Sequence, residues 1–138
     1  SDIDMVCADV VADNAALNGM VMGAGAHALT MVIADGMDDP VLQARAPYDL
    51  LIANILAGPL IELSAPFASA VVPGGSILLA GLLTTQEAAI RRAYARVGMR
   101  LAGQMTNGDW SILWLRKRAT ARPHPTRIGE LPGWARSW

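Results

Sequence analysis

The fold is decided by residues 48–59, which read YDLLIANILAGP. The first six, Tyr48 to Ala53, are nearly all apolar, as a parallel strand covered on both faces should be. Asn54 ends the apolar run, and Pro59 is acceptable only in the first turn of a helix. The stretch therefore predicts a buried strand, a polar residue at its carboxyl end and a helix that continues to about Ala70.

A helix and another strand are predicted before this stretch. Asp4 can cap a helix from about Met5 to Asn18, which Asn18-Gly19 closes. Residues 29–33, LTMVI, predict a short buried strand, followed by a loop with Asp-Gly, Asp-Pro and Ala-Pro breakers. Residues 23–26, GAGA, look like part of a nucleotide-binding loop. They follow a helix and precede a strand, the reverse of the order such a loop needs, so we interpret them as a connection.

A further strand and helix are predicted after residue 70. Pro73-Gly74-Gly75 indicates a tight turn before a strand from Ser76 to Ala80. Thr84 or Thr85 can cap a third helix, which Gly98 ends. Strands and helices therefore alternate, which favours an α/β fold with a parallel sheet.

The last predicted elements form a hairpin. Met99 to Met105 and Trp110 to Leu115 are its strands, around Asn107-Gly108. From Ala119 to Trp138 proline, arginine and glycine dominate and the periodicity is lost, which predicts a mostly disordered tail. The expected architecture is an α/β sheet that ends in an antiparallel hairpin.

Composition and charge bound the classes of function. The 138 residues are 53% hydrophobic with a mean hydropathy of +0.33, which favours a buried core. No apolar run reaches the roughly 18 residues of a membrane span, and the single Cys7 suits a reducing cytoplasm. A net charge of −1 argues against a generic nucleic-acid binder. Charge is nevertheless uneven, because Arg45 is the first basic residue, whereas Arg116, Lys117, Arg118, Arg122, Arg127 and Arg136 follow Asp109.

Two polar residues stand where α/β sheets bind ligands, beyond the carboxyl ends of strands. Asp2 would end a strand that precedes residue 1, and its carboxylate could accept hydrogen bonds from ribose hydroxyls. The alternative is an ordinary turn acid. Asn54 ends the strand from Tyr48, and a buried amide there needs a partner. A capping asparagine is an equally good interpretation of that position alone.

Several segments together resemble the ribosomal protein L11 methyltransferases. They are SDID at residues 1–4, NAALNG at 14–19, APYDLLIANILAGPL at 46–60 and PGG at 73–75. The run NILAGPL at 54–60 is the most specific part, and the other segments are typical of class I methyltransferases in general. The resemblance covers roughly residues 1–118, which we interpret as a partial methyltransferase catalytic domain.

The resemblance implies a class I, Rossmann-like methyltransferase sheet with S-adenosyl-L-methionine as methyl donor. It implies transfer to lysine ε-amines and the N-terminal amine of a large-subunit ribosomal protein, without direct nucleic-acid readout or a membrane. Asp2 matches the family's ribose-binding acid. Asn54 matches the asparagine that lines the donor and acceptor sites, so it is the expected catalytic residue and also binds cofactor. Ile55 and Leu56 offer no flat surface for a planar acceptor, which favours an aliphatic amine. No metal ligand is assigned.

The resemblance also implies that a part of the site is missing. The family's first strand and its Gly-x-Gly loop would precede Ser1, so we expect this chain to be a fragment of a longer product. Two alternatives remain open. One is a non-catalytic fragment or module without donor binding. The other is an NAD-type oxidoreductase fragment that uses Asp2 for ribose, which leaves Asn54 unexplained.

Overall fold

The computed structural model describes residues 1–25 and 27–119. The tail predicted from Ala119 to Trp138 falls almost entirely on residues 120–138, outside the described part. The helices are α1 (Val6–Leu17), α2 (Pro40–Arg45), α3 (Ala57–Glu62), α4 (Ser64–Ser69) and α5 (Glu87–Arg96), and the strands are β1 (Tyr48–Asn54), β2 (Val71–Leu83), β3 (Met99–Asn107) and β4 (Trp110–Lys117).

The strands form one sheet in the order β1-β2-β4-β3. β1 and β2 are parallel, whereas β4 is antiparallel to both of its neighbours. The α/β class and the C-terminal hairpin are therefore confirmed, and each hairpin strand is two residues longer than predicted. The hairpin turns at Gly108-Asp109, because Asn107 pairs with Trp110.

The core lies on one face of this sheet, under α3, α4 and α5. Ile77 and Leu79 of β2 and Leu113 and Leu115 of β4 point into it at alternate positions. The helices contribute the fully buried side chains of Leu60, Ile90 and Tyr94. Alternation in β2 and β4 leaves the opposite sheet face with apolar side chains that these helices do not cover.

β1 is confirmed as a strand, but the prediction that it is covered on both faces is wrong. Leu50 is 53% exposed and Ile52 is 63% exposed. The reason is the position of β1 at the edge of the sheet, where it pairs only with β2. The apolar sequence of β1 is typical of a strand inside a sheet, but among the described residues β1 has a neighbouring strand on one side only.

The predicted strand at residues 29–33 is also wrong. Only isolated parallel bridges form there, between Asp2 and Ile33 and between Met22 and Leu29. A β-ladder needs consecutive paired residues. Here Leu29 pairs with one segment, at Met22, and Ile33 pairs with another, at Asp2, so no ladder forms. Gly23 donates to the Leu29 carbonyl, so the glycine-rich segment is a connection that leads into residues 29–33, as expected.

The residues that were predicted to start and to close α1 do so in the structure. The Asp4 carboxylate accepts a hydrogen bond from the Val6 N–H at 2.9 Å, which satisfies a free donor at the helix start. At the other end Gly19 has φ +65°. The Met20 N–H bonds to the Ala15 carbonyl at 2.8 Å and the Gly19 N–H to that of Ala16, which is a Schellman closure.

α2 was not predicted, because Asp39-Pro40 was interpreted only as a loop breaker. The same pair is a helix start: the Asp39 carboxylate accepts from the N–H groups of Val41 and Leu42, and Pro40 occupies the first turn. Among the described residues the longest helix, α1, has 12 residues, and no helix is long and apolar enough to span a bilayer.

The helix predicted up to Ala70 is divided into α3 and α4 around Leu63. Pro66 explains the division, because it has no N–H to donate to the carbonyl four residues earlier. Pro59 is the third residue of α3, in the first turn, as predicted.

Three predictions in and after β2 are wrong. Pro73-Gly74-Gly75 is not a turn before a strand but an irregularity inside β2, where Tyr48 pairs with Val71 and Leu50 with Ser76. The strand also runs on to Leu83. Neither threonine caps the third helix. A 3₁₀ turn (Thr84–Gln86) precedes α5, and the Gln86 amide oxygen accepts from the Leu83 N–H.

Candidate functional site

Asn54 lies at the carboxyl end of β1, opposite Ala80 of β2. Its position at the end of the strand is confirmed, but the side chain is exposed, so the argument from a buried amide is wrong. The helix that follows starts at Ala57 with Leu56 at its N-cap position, where no side chain caps it. Asn54 is therefore not a capping residue, and its amide stays available to a ligand.

Gly81 is a candidate site residue that the sequence did not reveal. It lies in β2 where the pairing with β4 is irregular, and its φ is +75°. A Cβ at this position would lie 2.9 Å from Asn54 Oδ1 and 2.9 Å from the Ile55 carbonyl oxygen. The bare backbone of Gly81 thus packs against the turn that carries Asn54, and any side chain would displace it. Ala80-Gly81 in an apolar strand was the available signal.

Asp2 forms an isolated parallel bridge with Ile33. Its N–H donates to the Val32 carbonyl at 3.2 Å, and its carbonyl accepts from the Ala34 N–H at 2.8 Å. These bonds form a single parallel bridge with Ile33, so the expected place of Asp2 at the end of a strand stays a prediction; the side chain is exposed. The carboxylate oxygen Oδ1 accepts one hydrogen bond, from the Asp4 N–H at 3.0 Å. A carboxylate has about four acceptor positions, so most of its capacity remains for a ligand.

The surroundings of Asp2 keep it charged. The hydrogen bond from the Asp4 N–H holds the pKa of Asp2 below its usual range. Cys7 lies close by, and burial raises the pKa of its thiol, with a further contribution from Asp2. The thiol therefore stays neutral at pH 7.

The structure does not bring the two predicted residues into direct contact. The hydrogen bonds of the described residues do not join Asp2 to Asn54. A chain of contacts connects their segments instead. Arg45 donates to Thr30 Oγ1 at 2.9 Å and to the Ala24 carbonyl at 3.1 Å, which ties α2 to the segment that pairs with Asp2. The Tyr48 hydroxyl of β1 donates to the Leu42 carbonyl of α2 at 2.7 Å.

The arrangement of Asp2 and Asn54 suits the binding and positioning of a ligand. A charged acceptor lies at the bridge between Asp2 and Ile33, and a neutral amide lies at the carboxyl end of β1. Open α/β sheets bind ligands beyond the carboxyl ends of their strands. Among residues 1–25 and 27–119 no group of three or more metal-ligating side chains occurs. Neither candidate residue has a neighbouring group that would make it a nucleophile. The chemistry that fits is the orientation of a ligand that is already reactive.

The comparisons with known proteins agree on one family. A family model described as ribosomal protein L11 methyltransferase (PrmA) matches residues 1–118. A ribosomal protein L11 methyltransferase from Brucella suis is 36% identical over 116 residues, and one from Rhizobium meliloti is 35% identical over 115 residues. A crystal structure of a ribosomal protein L11 methylase from Lactobacillus delbrueckii subsp. bulgaricus has a TM-score of 0.72 and 25% identity.

These matches cover most of this chain but a smaller part of each relative. The aligned residues are 84% of this chain and 39% of the Brucella suis protein. They are 83% of this chain and 38% of the Rhizobium meliloti protein. The structural match covers 85% of this chain and 55% of the Lactobacillus chain. The chain therefore spans about two fifths of the length of the curated relatives that it matches.

Proposed function

The chain belongs to the ribosomal protein L11 methyltransferase family, and on that premise we propose that it supplies part of the catalytic site of an S-adenosylmethionine-dependent protein N-methyltransferase. The proposed acceptors are lysine ε-amines and the N-terminal amine of ribosomal protein L11. The observation that carries the proposal is Asn54, which stands exposed at the end of β1 against Gly81 and is not used to cap α3.

Asp2 and Asn54 fit the two ends of such a donor. The free acceptor positions of the Asp2 carboxylate suit the paired hydroxyls of a ribose, and its lowered pKa keeps it ionised at neutral pH. The missing Cβ of Gly81 lets the β2 backbone pack against the turn that carries Asn54, which holds the amide at the end of the strand. Asp2 would hold the adenosine part and Asn54 would line the place where donor and acceptor meet.

The chain's part in the reaction is to position a neutral amine. When bound, S-adenosylmethionine supplies a methyl group on a sulfonium, which needs no further activation. The Asn54 amide oxygen can accept a hydrogen bond from the acceptor amine and so direct its lone pair. Leu56, which is 74% exposed, and Ile55 flank this amide with aliphatic surface. They suit the methylene stem of a lysine better than a planar base, which would need an aromatic surface to stack on.

A chimera tests this function. The matching segment of the Brucella suis relative is replaced by residues 1–118, and the chimera is incubated with purified L11 and isotope-labelled S-adenosylmethionine. Label is expected on lysine side chains and on the N-terminus of L11. The unmodified relative is the positive control. A folded chimera that binds donor but labels no L11 would contradict the proposed acceptor.

Replacement of Asp2 is expected to weaken the binding of the methyl donor. Asp2→Ala in the chimera removes a charge-assisted acceptor, which typically costs about 1.5–3 kcal/mol, or roughly tenfold or more in affinity. Calorimetry with S-adenosylhomocysteine measures the change. Asp13→Ala is the matched control, because it removes an exposed acid from α1 in the same region. Equal affinities for the Asp2 and Asp13 variants would show that Asp2 does not hold the ribose.

The proposed substrate also implies a protein partner and a cellular location. A large-subunit ribosomal protein is the partner, and the cytoplasm is the proposed location. Recognition of bases in a nucleic acid is not part of this function.

A further inference from the structure

The hairpin places an exposed tryptophan at the end of the sheet that carries Asn54. Trp110 is the first residue of β4, and it pairs with Leu83 at the end of β2 and with Asn107 at the end of β3. β1 runs parallel to β2 and ends at Asn54, opposite Ala80. The carboxyl ends of β1 and β2 and the start of β4 therefore lie at the same end of the sheet.

Trp110 and Asn54 also lie on the same face of the sheet. Side chains alternate between the two faces along a strand. In β4 Ser111 is buried, so its neighbour Trp110 points away from α3, α4 and α5. In β1 Ala53 is buried, and Asn54 points away from these helices in the same way. The two residues thus border one surface, which the helices over the core do not cover.

Two exposed apolar side chains adjoin Trp110. The indole is 58% exposed, Met105 of β3 is 54% exposed and Leu83 is 36% exposed. Leu83 lies directly opposite Trp110, and Met105 lies diagonally across from it on the same face, within reach of an aromatic ring. Scattered apolar side chains are ordinary on a protein surface, whereas a contiguous group with tryptophan and methionine is typical of a surface that binds another molecule.

Backbone hydrogen bonds hold Trp110 in place without using its indole. The Thr84 N–H donates to the Asp109 carbonyl at 2.9 Å, which ties the hairpin turn to the end of β2. Trp114, further along β4, uses its indole to donate to Ser76 Oγ at 3.0 Å. The Trp110 indole makes no such bond within residues 1–25 and 27–119, so its backbone is fixed while its ring stays accessible.

The charge at this end of the sheet favours a cationic partner. Residues 54–58, 80–87 and 105–111 include two acids, Glu87 and Asp109, and no lysine, arginine or histidine. The Glu87 carboxylate accepts a hydrogen bond from the Gln104 amide, whereas Asp109 is exposed beside Trp110. The surface around Trp110 thus combines apolar side chains with negative charge, which suits basic side chains with aliphatic stems.

Resting on the function proposed above, we propose that an acceptor patch (Leu83, Met105, Asp109 and Trp110) binds the lysine-bearing segment of the ribosomal protein beside the amine that is methylated. The stems of basic side chains pack on apolar surface, and their charged ends are attracted by the face of an indole ring and by a carboxylate. The reacting amine must be neutral, so the patch holds basic residues next to it and leaves the amine to Asn54. Trp110 is then a specificity-determining residue that touches no reacting atom.

Replacement of Trp110 tests the patch in the Brucella suis chimera. Trp110→Ala is expected to raise the KM for L11 about tenfold or more, as the loss of a central aromatic contact does at protein interfaces. The value of kcat and the affinity for S-adenosylhomocysteine should change by less than about twofold, because the lost contact is the same before and during transfer. Trp110→Phe keeps an aromatic surface and should recover most of the loss. Leu17→Ala is the matched control, because it removes a side chain that is 84% exposed on α1.

Replacement of Asp109 tests the charge of the patch. Asp109→Asn should raise the KM for L11 and make it less sensitive to salt, because salt screens the attraction between exposed charges. Asp49→Asn is the control, since Asp49 is exposed near the start of β1, at the other end of the sheet. Equal changes in both variants would mean that net charge attracts L11, which would overturn the role of the patch.

The outcomes separate this inference from the proposed function. If the unmodified chimera labels L11 and Trp110→Ala has the same KM as Leu17→Ala, the patch does not bind the acceptor segment. An unchanged KM with a melting temperature lower by several degrees would mean that the rest of the relative covers Trp110.

A binding measurement decides the case in which the unmodified chimera labels no L11 and the proposed function fails. The anisotropy of fluorescein-labelled L11 is then followed as the chimera, saturated with S-adenosylhomocysteine, is added. Weaker binding by the Trp110→Ala variant than by the Leu17→Ala variant would support the patch, and equal binding would overturn it.

Discussion

The chain by itself is expected to bind S-adenosylmethionine about a thousandfold more weakly than the chimera with the Brucella suis relative. In open α/β sheets that bind nucleotides, a glycine loop between a strand and a helix lets backbone N–H groups approach the ligand. The described residues contain no such unit, since Gly23-Ala24-Gly25 connects α1 to residues 29–33. Each missing backbone contact is worth about 0.5–1.5 kcal/mol, and about 4 kcal/mol separates micromolar from millimolar binding.

The exposed edge of β1 leads to a second expectation for the isolated chain, which is self-association. Leu50 and Ile52 face solvent on a strand whose composition is that of a sheet interior. Such an edge readily pairs with another strand, so the isolated chain should also self-associate. Light scattering at several protein concentrations follows the association while calorimetry follows donor binding. Micromolar donor binding by a monomeric chain would overturn this prediction and would mean a site built differently from that of the relatives.

Asn54→Ala is expected to lower the rate of methyl transfer by about a hundredfold to a thousandfold in the chimera. Loss of a positioning group can raise a barrier by several kcal/mol, and about 1.4 kcal/mol corresponds to each factor of ten. Donor affinity should change little, because the proposed contact of Asn54 is with the acceptor at the moment of transfer. The measurement is single-turnover methylation of L11 at saturating donor, with donor affinity determined in parallel.

Two further variants sharpen the test. Gly81→Ala keeps the amide but places a methyl group 2.9 Å from its oxygen at a strained φ, so it should reduce transfer by displacing Asn54. Asn14→Ala is the control: it removes an exposed amide from α1 whose side chain has no hydrogen-bond partner among the described residues. If Asn54→Ala transfers methyl groups as fast as Asn14→Ala, Asn54 has no part in catalysis.

Local signals were sufficient where neighbouring residues determine the conformation. Asp4 caps the start of α1 and Gly19 closes it, because each acts on backbone groups only a few residues away. Pro59 stands in the first turn of α3, and Gly108 in the hairpin turn, for the same reason. The apolar run from Tyr48 to Ala53 predicted the strand, and the run from Asn54 to Leu60 was the most specific sign of the family, since both are properties of the sequence itself.

Tertiary structure decided everything that depends on strand pairing. Residues 29–33 have the composition of a strand, but their partners are too short to make a ladder, so only bridges form. The exposure of Leu50 and Ile52 follows from the edge position of β1, which no local pattern records. Gly81 meets Asn54 only because β2 lies parallel beside β1 and carries a positive φ at that point.

The pairing of Arg100 with Arg116 has the same origin. Arg100 and Arg116 are 16 residues apart in sequence, and only the antiparallel register of β3 and β4 places them opposite each other. The sequence determined which side chains could bind a donor, because that is a matter of chemical type. Pairing between distant segments determined which of them meet, because each contact depends on the register of a whole strand and not on its neighbours in the chain.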